Sequence, residues 1–169
     1  MPGLMENLIG ILGEQAESYE NLAGLSLEKK DAIVANNIED LQKITSLENT
    51  LVGKHHRLER QRLSVLKDIA LVLSRKEEDL TFTALLALLE GKPDYPRMEE
   101  IVGRIRKAVP ELKSINDQNK QLIDNSLAYI DFTMNAIRGS LGGEPSVYPL
   151  DGTKNSGYDD GKSFFDAKK

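Results

Sequence analysis

His55 and His56 are the only imidazoles in the chain, and they are the first residues to weigh for chemistry. Helical bundles hold di-metal centres with Glu-x-x-His pairs, but the residues three before these histidines are Val52 and Gly53, so that motif is absent. Neighbouring side chains on a helix also point about 100° apart, which keeps the two from sharing one metal comfortably. The simpler reading puts one histidine at a helix interface and the other in water. No cysteine is present, which excludes thiolate zinc sites, disulfides and cysteine nucleophiles. No glycine-rich phosphate loop occurs, and no serine sits in a nucleophile motif. The acid pairs Glu77-Glu78 and Glu99-Glu100 fall at helix ends or in a linker, where solvation accounts for them. The sequence therefore offers no catalytic residue and no metal site, and it implies no cofactor or small-molecule substrate.

One basic cluster remains: Lys54, Arg57, Arg60 and Arg62. It could meet an acidic partner or nucleic acid, or it could be an ion-paired helix face. The formal charge of −5 argues against a general nucleic-acid binder, which needs excess Lys and Arg to displace phosphate counterions. The distribution of charge favours the ion-paired face. Residues 1–50 carry 3 basic and 9 acidic side chains, whereas residues 51–76 carry 7 basic and 2 acidic.

The elements that must position these residues read as helices. The 169 residues fit one domain, and with 5% aromatics and no Trp the core has to be aliphatic, which suits helices packing on helices. From Gly3 to Val34, Leu4, Leu8, Ile11, Leu12, Tyr19, Leu22, Leu25 and Ile33 recur mostly at three- and four-residue steps, the stripe of an amphipathic helix. The pattern breaks at Ala35-Asn36-Asn37, where Asn37 is a good N-cap with Glu39 and Asp40 in the turn that follows. A second helix then runs to about Ser74. So short a connector predicts an antiparallel hairpin. Reversal there puts Glu14, Glu17 and Glu20 opposite Arg60, Arg57 and Lys54.

After a polar run, a short apolar helix is expected from Thr81 or Phe82 to Glu90, stopped by Gly91 as a left-handed cap. Pro96 then suits the first turn of a last helix reaching about Arg138, with a bend near Lys107 caused by Pro110. From Gly139 onward there are 6 Gly and 2 Pro in 31 residues and no periodicity, so residues 139–169 are expected to form a disordered, flexible tail. The fold class is thus all-α. A long helical hairpin, a short helix and a long kinked C-terminal helix make a coiled-coil-like bundle over residues 1–138. The N-terminus lacks the basic, apolar and small-residue sections of a signal peptide, and no apolar run approaches the ~20 residues that span a bilayer. An intracellular, soluble protein without membrane insertion is expected.

The last helix carries more apolar surface than one stripe. Ile115, Asn119, Leu122, Ile123, Ser126, Leu127, Ile130 and Met134 spread over more than one of its faces. That surplus fits either a helix buried at the centre of the bundle or a groove awaiting an amphipathic partner.

Three stretches together resemble a known family. The first is Leu8-Ile9-Gly10-Ile11-Leu12 onward, ending in Ala35-Asn36-Asn37-Ile38-Glu39-Asp40-Leu41. The second is Asn116-Asp117-Gln118-Asn119-Lys120-Gln121-Leu122, with Asn125-Ser126-Leu127 and Ile130-Asp131-Phe132 after it. The third is Tyr148-Pro149-Leu150-Asp151-Gly152. In order and spacing, from about Leu4 to Gly152, the chain is similar to the flagellar export chaperones for hook–filament junction proteins, the FlgN-like family. The resemblance implies a cytoplasmic type III export chaperone without enzymatic activity. Such a protein binds the C-terminal helices of hook-associated proteins, keeps them from assembling early and delivers them to the export gate. It further implies that the residues named on the last helix form the partner-binding part and that Tyr148 contacts the gate, although Tyr158, Phe164 and Phe165 continue the same tail. The competing reading is a generic coiled-coil adaptor or structural bundle with no export role.

Overall fold

A computed structural model describes residues 2–141, so the expected tail, with Tyr148 in it, lies outside the described residues. Among those described there are four α-helices, one 3-10 turn and no strand: α1 (Pro2–Val34), α2 (Ile38–Leu73), the turn Glu77–Asp79, α3 (Phe82–Leu89) and α4 (Tyr95–Leu141). By internal contacts the chain divides into Met1–Leu127 and Ala128–Lys169, with the boundary inside α4.

Local chemistry sets the helix ends. At the α1–α2 corner Asn36 takes a left-handed conformation, φ 53°. Its N–H reaches the Ile33 carbonyl and that of Asn37 the Ala32 carbonyl, at 3.2 and 2.9 Å. This is the double closure that satisfies the last carbonyls of a helix. Asn37 then starts α2: its Oδ1 accepts the Asp40 N–H at 3.1 Å, and its Nδ2 donates to the Asp40 carboxylate at 2.7 Å. Ser74 repeats the left-handed closure at the end of α2, with φ 52°. The expected cap at Gly91 is present at φ 76°, and the Thr81 hydroxyl caps α3 by accepting the Ala84 N–H at 3.2 Å. α4 begins at Tyr95, so Pro96 does lie in its first turn, and Pro110 lies within one continuous helix.

Within Met1–Leu127 three long helices run up, down and up. α1 and α2 are antiparallel: Gln15 Nε2 donates to Glu59 at 2.9 Å, Tyr19 packs on His55 with ring centroids 4.4 Å apart, and Lys29 pairs with Glu48 at 2.9 Å. Partner numbers fall along α2 as they rise along α1. Against α4 both sets rise together. Glu6 meets Arg97, Gly13 approaches Ile101, Glu20 meets Arg104, Ser26 meets Asn116 and Lys30 meets Gln118. α4 is therefore parallel to α1.

The core is aliphatic, as the composition requires. Leu8, Ile9, Leu12, Ile69, Leu85, Met98 and Val102 are all but inaccessible to water. α3 contributes Leu85 and Leu89 to the same cluster as Met5, Leu66 and Met98. Leu85 and Leu89 are its buried edge, while Thr83 and Ala87 face out.

The hairpin register reasoned from charge is correct in height, since Gln15–Glu59 and Tyr19–His55 each keep the step that sets Glu14 against Arg60. The ion pairs themselves differ. Among the described residues Glu14 reaches Lys54, at 3.9 Å, and Glu20 is bound through both carboxylate oxygens by Arg104 of α4, at 2.7 and 2.9 Å. No ion pair joins Glu17 to Arg57 or Glu14 to Arg60. The reason is the third helix. A parallel α4 competes for the acids of α1 with Arg97 and Arg104, so the α1 acids are shared between two neighbours.

Candidate functional site

The histidines go where the simpler reading placed them. His55 is half-buried at the α1–α2 interface against Tyr19, and His56 is exposed. The His55 Nδ1 is buried with no hydrogen-bond partner. Desolvation pushes its pKa down, opposed by the nearby Glu59. Glu59 is the better-held charge. Arg62 donates to it twice, at 2.8 and 2.6 Å, and Gln15 donates once. The bidentate Arg62 contact is the main cause holding the Glu59 carboxyl down at about 2. Burial pushes the Tyr19 hydroxyl pKa up, with the Glu59 charge adding to it. The cluster binds α1 to α2. Among the described residues no group of three His, Asp or Glu is disposed to hold a metal ion.

The residues expected on α4 separate by depth. Ile115 and Asn119 are core, at 6% and 4% exposure. Asn119 Nδ2 donates to the Ser26 carbonyl at 2.8 Å, while Ser26 Oγ donates to Asn116 Oδ1, also at 2.8 Å. These two bonds stitch α4 to α1. Leu122, Ile123 and Ser126 are half-buried, and the Ser126 hydroxyl donates back to the Leu122 carbonyl at 2.9 Å. Ile123, Asn116 and Asn119 also line a cleft with Leu22 and Ser26 of α1 and Asn49 and Val52 of α2. Leu127 is 45% exposed.

The change in depth has a plain cause. Lys30 faces Gln118, and α1 ends at Val34, one turn later. Past that height α1 has nothing left with which to cover α4.

The Ala128–Leu141 part of α4, taken by itself, leaves apolar side chains unburied on more than one side. Ile130 is 53% and Met134 45% exposed, and Tyr129, Phe132 and Ile137 are exposed as well. Tyr129, Phe132 and Ile137 were not among the candidate residues. Their signal was in the sequence: from Leu127 on, apolar residues fall on several sides of the helix, in a chain with few aromatics. A side chain as large as Tyr or Phe left in water costs apolar hydration that burial would recover. No helix among the described residues is long and apolar enough to cross a membrane.

Residues 1–156 match the family model described as FlgN protein. No curated protein and no solved structure matches the chain.

Proposed function

The chain belongs to the FlgN family of flagellar export chaperones, and from that premise we propose that it acts in the cytoplasm, without catalysis, on the C-terminal helices of hook-associated proteins. In this reading α4 supplies the contact surface. Leu122, Ile123 and Ser126 form its half-buried part, and Leu127, Ile130 and Met134 are exposed apolar residues that follow. Ile115 and Asn119 act beneath that surface by fixing α4 to α1. The observation that carries the proposal is the exposure of Leu127, Ile130 and Met134 on a helix whose earlier turns are buried. An amphipathic helix that polymerises must have its apolar stripe covered before export, and side-chain packing alone achieves this. Tyr148, in the part of the chain after α4, is the residue proposed to contact the export gate.

The test is a purification of the tagged protein from motile cells. Retention of hook-associated proteins, lost when those proteins lack their C-terminal helices, supports the chaperone role. A preparation that retains none of them at matched expression refutes it and leaves a structural bundle.

A further inference from the structure

The basic cluster of α2 is only partly neutralised, by Glu14 at Lys54 and by Glu59 at Arg62. Arg57, Arg60 and Lys67 take part in none of the ion pairs among the described residues, because Glu6 and Glu20 are held by α4, Glu14 reaches Lys54, and Glu59 is held by Arg62 and Gln15. On a helix with 3.6 residues per turn, His56, Arg57, Arg60, Leu63, Lys67 and Leu71 lie within about 60° of one line. All six are exposed, Leu71 as much as 71%. No Asp or Glu falls within that sector between Gly53 and Leu71; Asp68 stands just outside it. At the far end of the stripe Glu77 and Glu78 line a cleft with Lys67 and Leu71, Glu78 being paired with Lys76 at 3.4 Å, so the part of the stripe clear of acids is centred on Arg57 and Arg60. In a chain of formal charge −5, this is a concentrated cationic stripe with leucines interleaved at helical spacing.

We infer that this stripe is a second docking surface, and that its partner is an acidic amphipathic helix of another protein. Arg57 and Arg60 lead the stripe and Leu63, Lys67 and Leu71 follow over about four turns, roughly 20 Å, so a helix laid alongside would meet both with glutamates and apolar residues at three- and four-residue steps. A lipid surface fits less well. The stripe has no aromatic residue, and a few cations with two leucines fall short of the paired signals that stable membrane attachment takes. Nucleic acid is disfavoured by the net charge. The surface is independent of α4 and of what α4 binds.

The experiment titrates the full chain with a synthetic helical peptide whose one face alternates glutamate and leucine. A scrambled peptide of identical composition, phosphatidylglycerol vesicles and duplex DNA are run beside it. The expected result is binding of the patterned peptide at least about tenfold tighter than the scrambled one, weakening as salt screens the charges. Arg57→Glu with Arg60→Glu and Lys67→Glu abolishes it, and Leu63→Ser with Leu71→Ser weakens it by a similar factor. Both variants alter exposed residues, so their melting temperatures stay at the wild-type value. Equal binding of the two peptides overturns the inference, since charge alone then accounts for it. Tighter binding of vesicles or DNA than of the patterned peptide overturns it too. So does self-association of the wild-type chain that the charge-reversed variant loses, which would make a second copy the occupant.

Discussion

Single residues in this protein divide into those that hold helices together and those that wait at the surface, and pH separates the first kind experimentally. Glu59 has its carboxyl pKa held at about 2, chiefly by the Arg62 contact. A carboxyl depressed in the fold stabilises it above the ordinary carboxylate range and loses that contribution as pH falls toward 2. Because Glu59 is partly exposed, solvent discounts the size of the effect. Glu59→Gln should therefore melt below wild type at pH 7, with the gap closing as both are taken toward pH 2. His55 acts at higher pH. Its pKa is lowered by burial, so the neutral form is the folded one, and stability falls as pH drops below the usual imidazole value. Thermal melts between pH 7 and pH 5 should show a decline in wild type that His55→Gln reduces. Asn119 presents a different case. It was expected at a partner surface and is found in the core with its amide spent on Ser26. Its Oδ1 is buried without a partner, so Asn119→Ala removes one hydrogen bond and one unsatisfied oxygen together and should cost no more than about 1 kcal/mol of stability. Calorimetry of the free protein measures this without any partner.

Elements were legible in the sequence wherever a local signal decided them. Helix ends at Asn37, Ser74, Thr81 and Gly91 depend on caps within a few residues, and the observed bounds lie within a few positions of those reasoned from periodicity. The hairpin height was legible too, because a three-residue connector leaves little freedom. What could not be read was the sharing of α1 acids between two helices. Glu20 alone cannot tell whether Lys54 or Arg104 will face it, since that depends on α4 lying parallel to α1, a long-range fact. The candidate surface was legible as a surplus of apolar residues on α4, but its depth was not. Burial of Ile115 and exposure of Leu127 follow from where α1 stops, and no pattern within α4 records that. α3 allows a direct check on the core. Leu85 is 2% exposed, so Leu85→Ala should cost about 2–5 kcal/mol through lost transfer energy and the cavity left behind. Denaturant unfolding should show a large fall in midpoint for this variant.

At the scale of the whole molecule, three long helices pack within Met1–Leu127, and α4 carries exposed apolar side chains at Leu127, Ile130 and Met134. A chaperone for polymerising helices needs that division, because its partner surface has to be apolar while the free protein stays folded without it. The proposed contact of Leu127, Ile130 and Met134 with a hook-associated C-terminal helix requires that all three be dispensable for folding. It is tested by calorimetric titration of the Leu127→Ala, Ile130→Ala, Met134→Ala variant with that helix, paired with its melting temperature. Fully burying an aliphatic chain is worth roughly 1.5–3 kcal/mol, and these three start about half-exposed, so the variant should lose about a hundredfold or more in affinity. The melting temperature should stay close to wild type. A variant that binds the helix as tightly as wild type, or one whose melting temperature collapses together with binding, would contradict the claim.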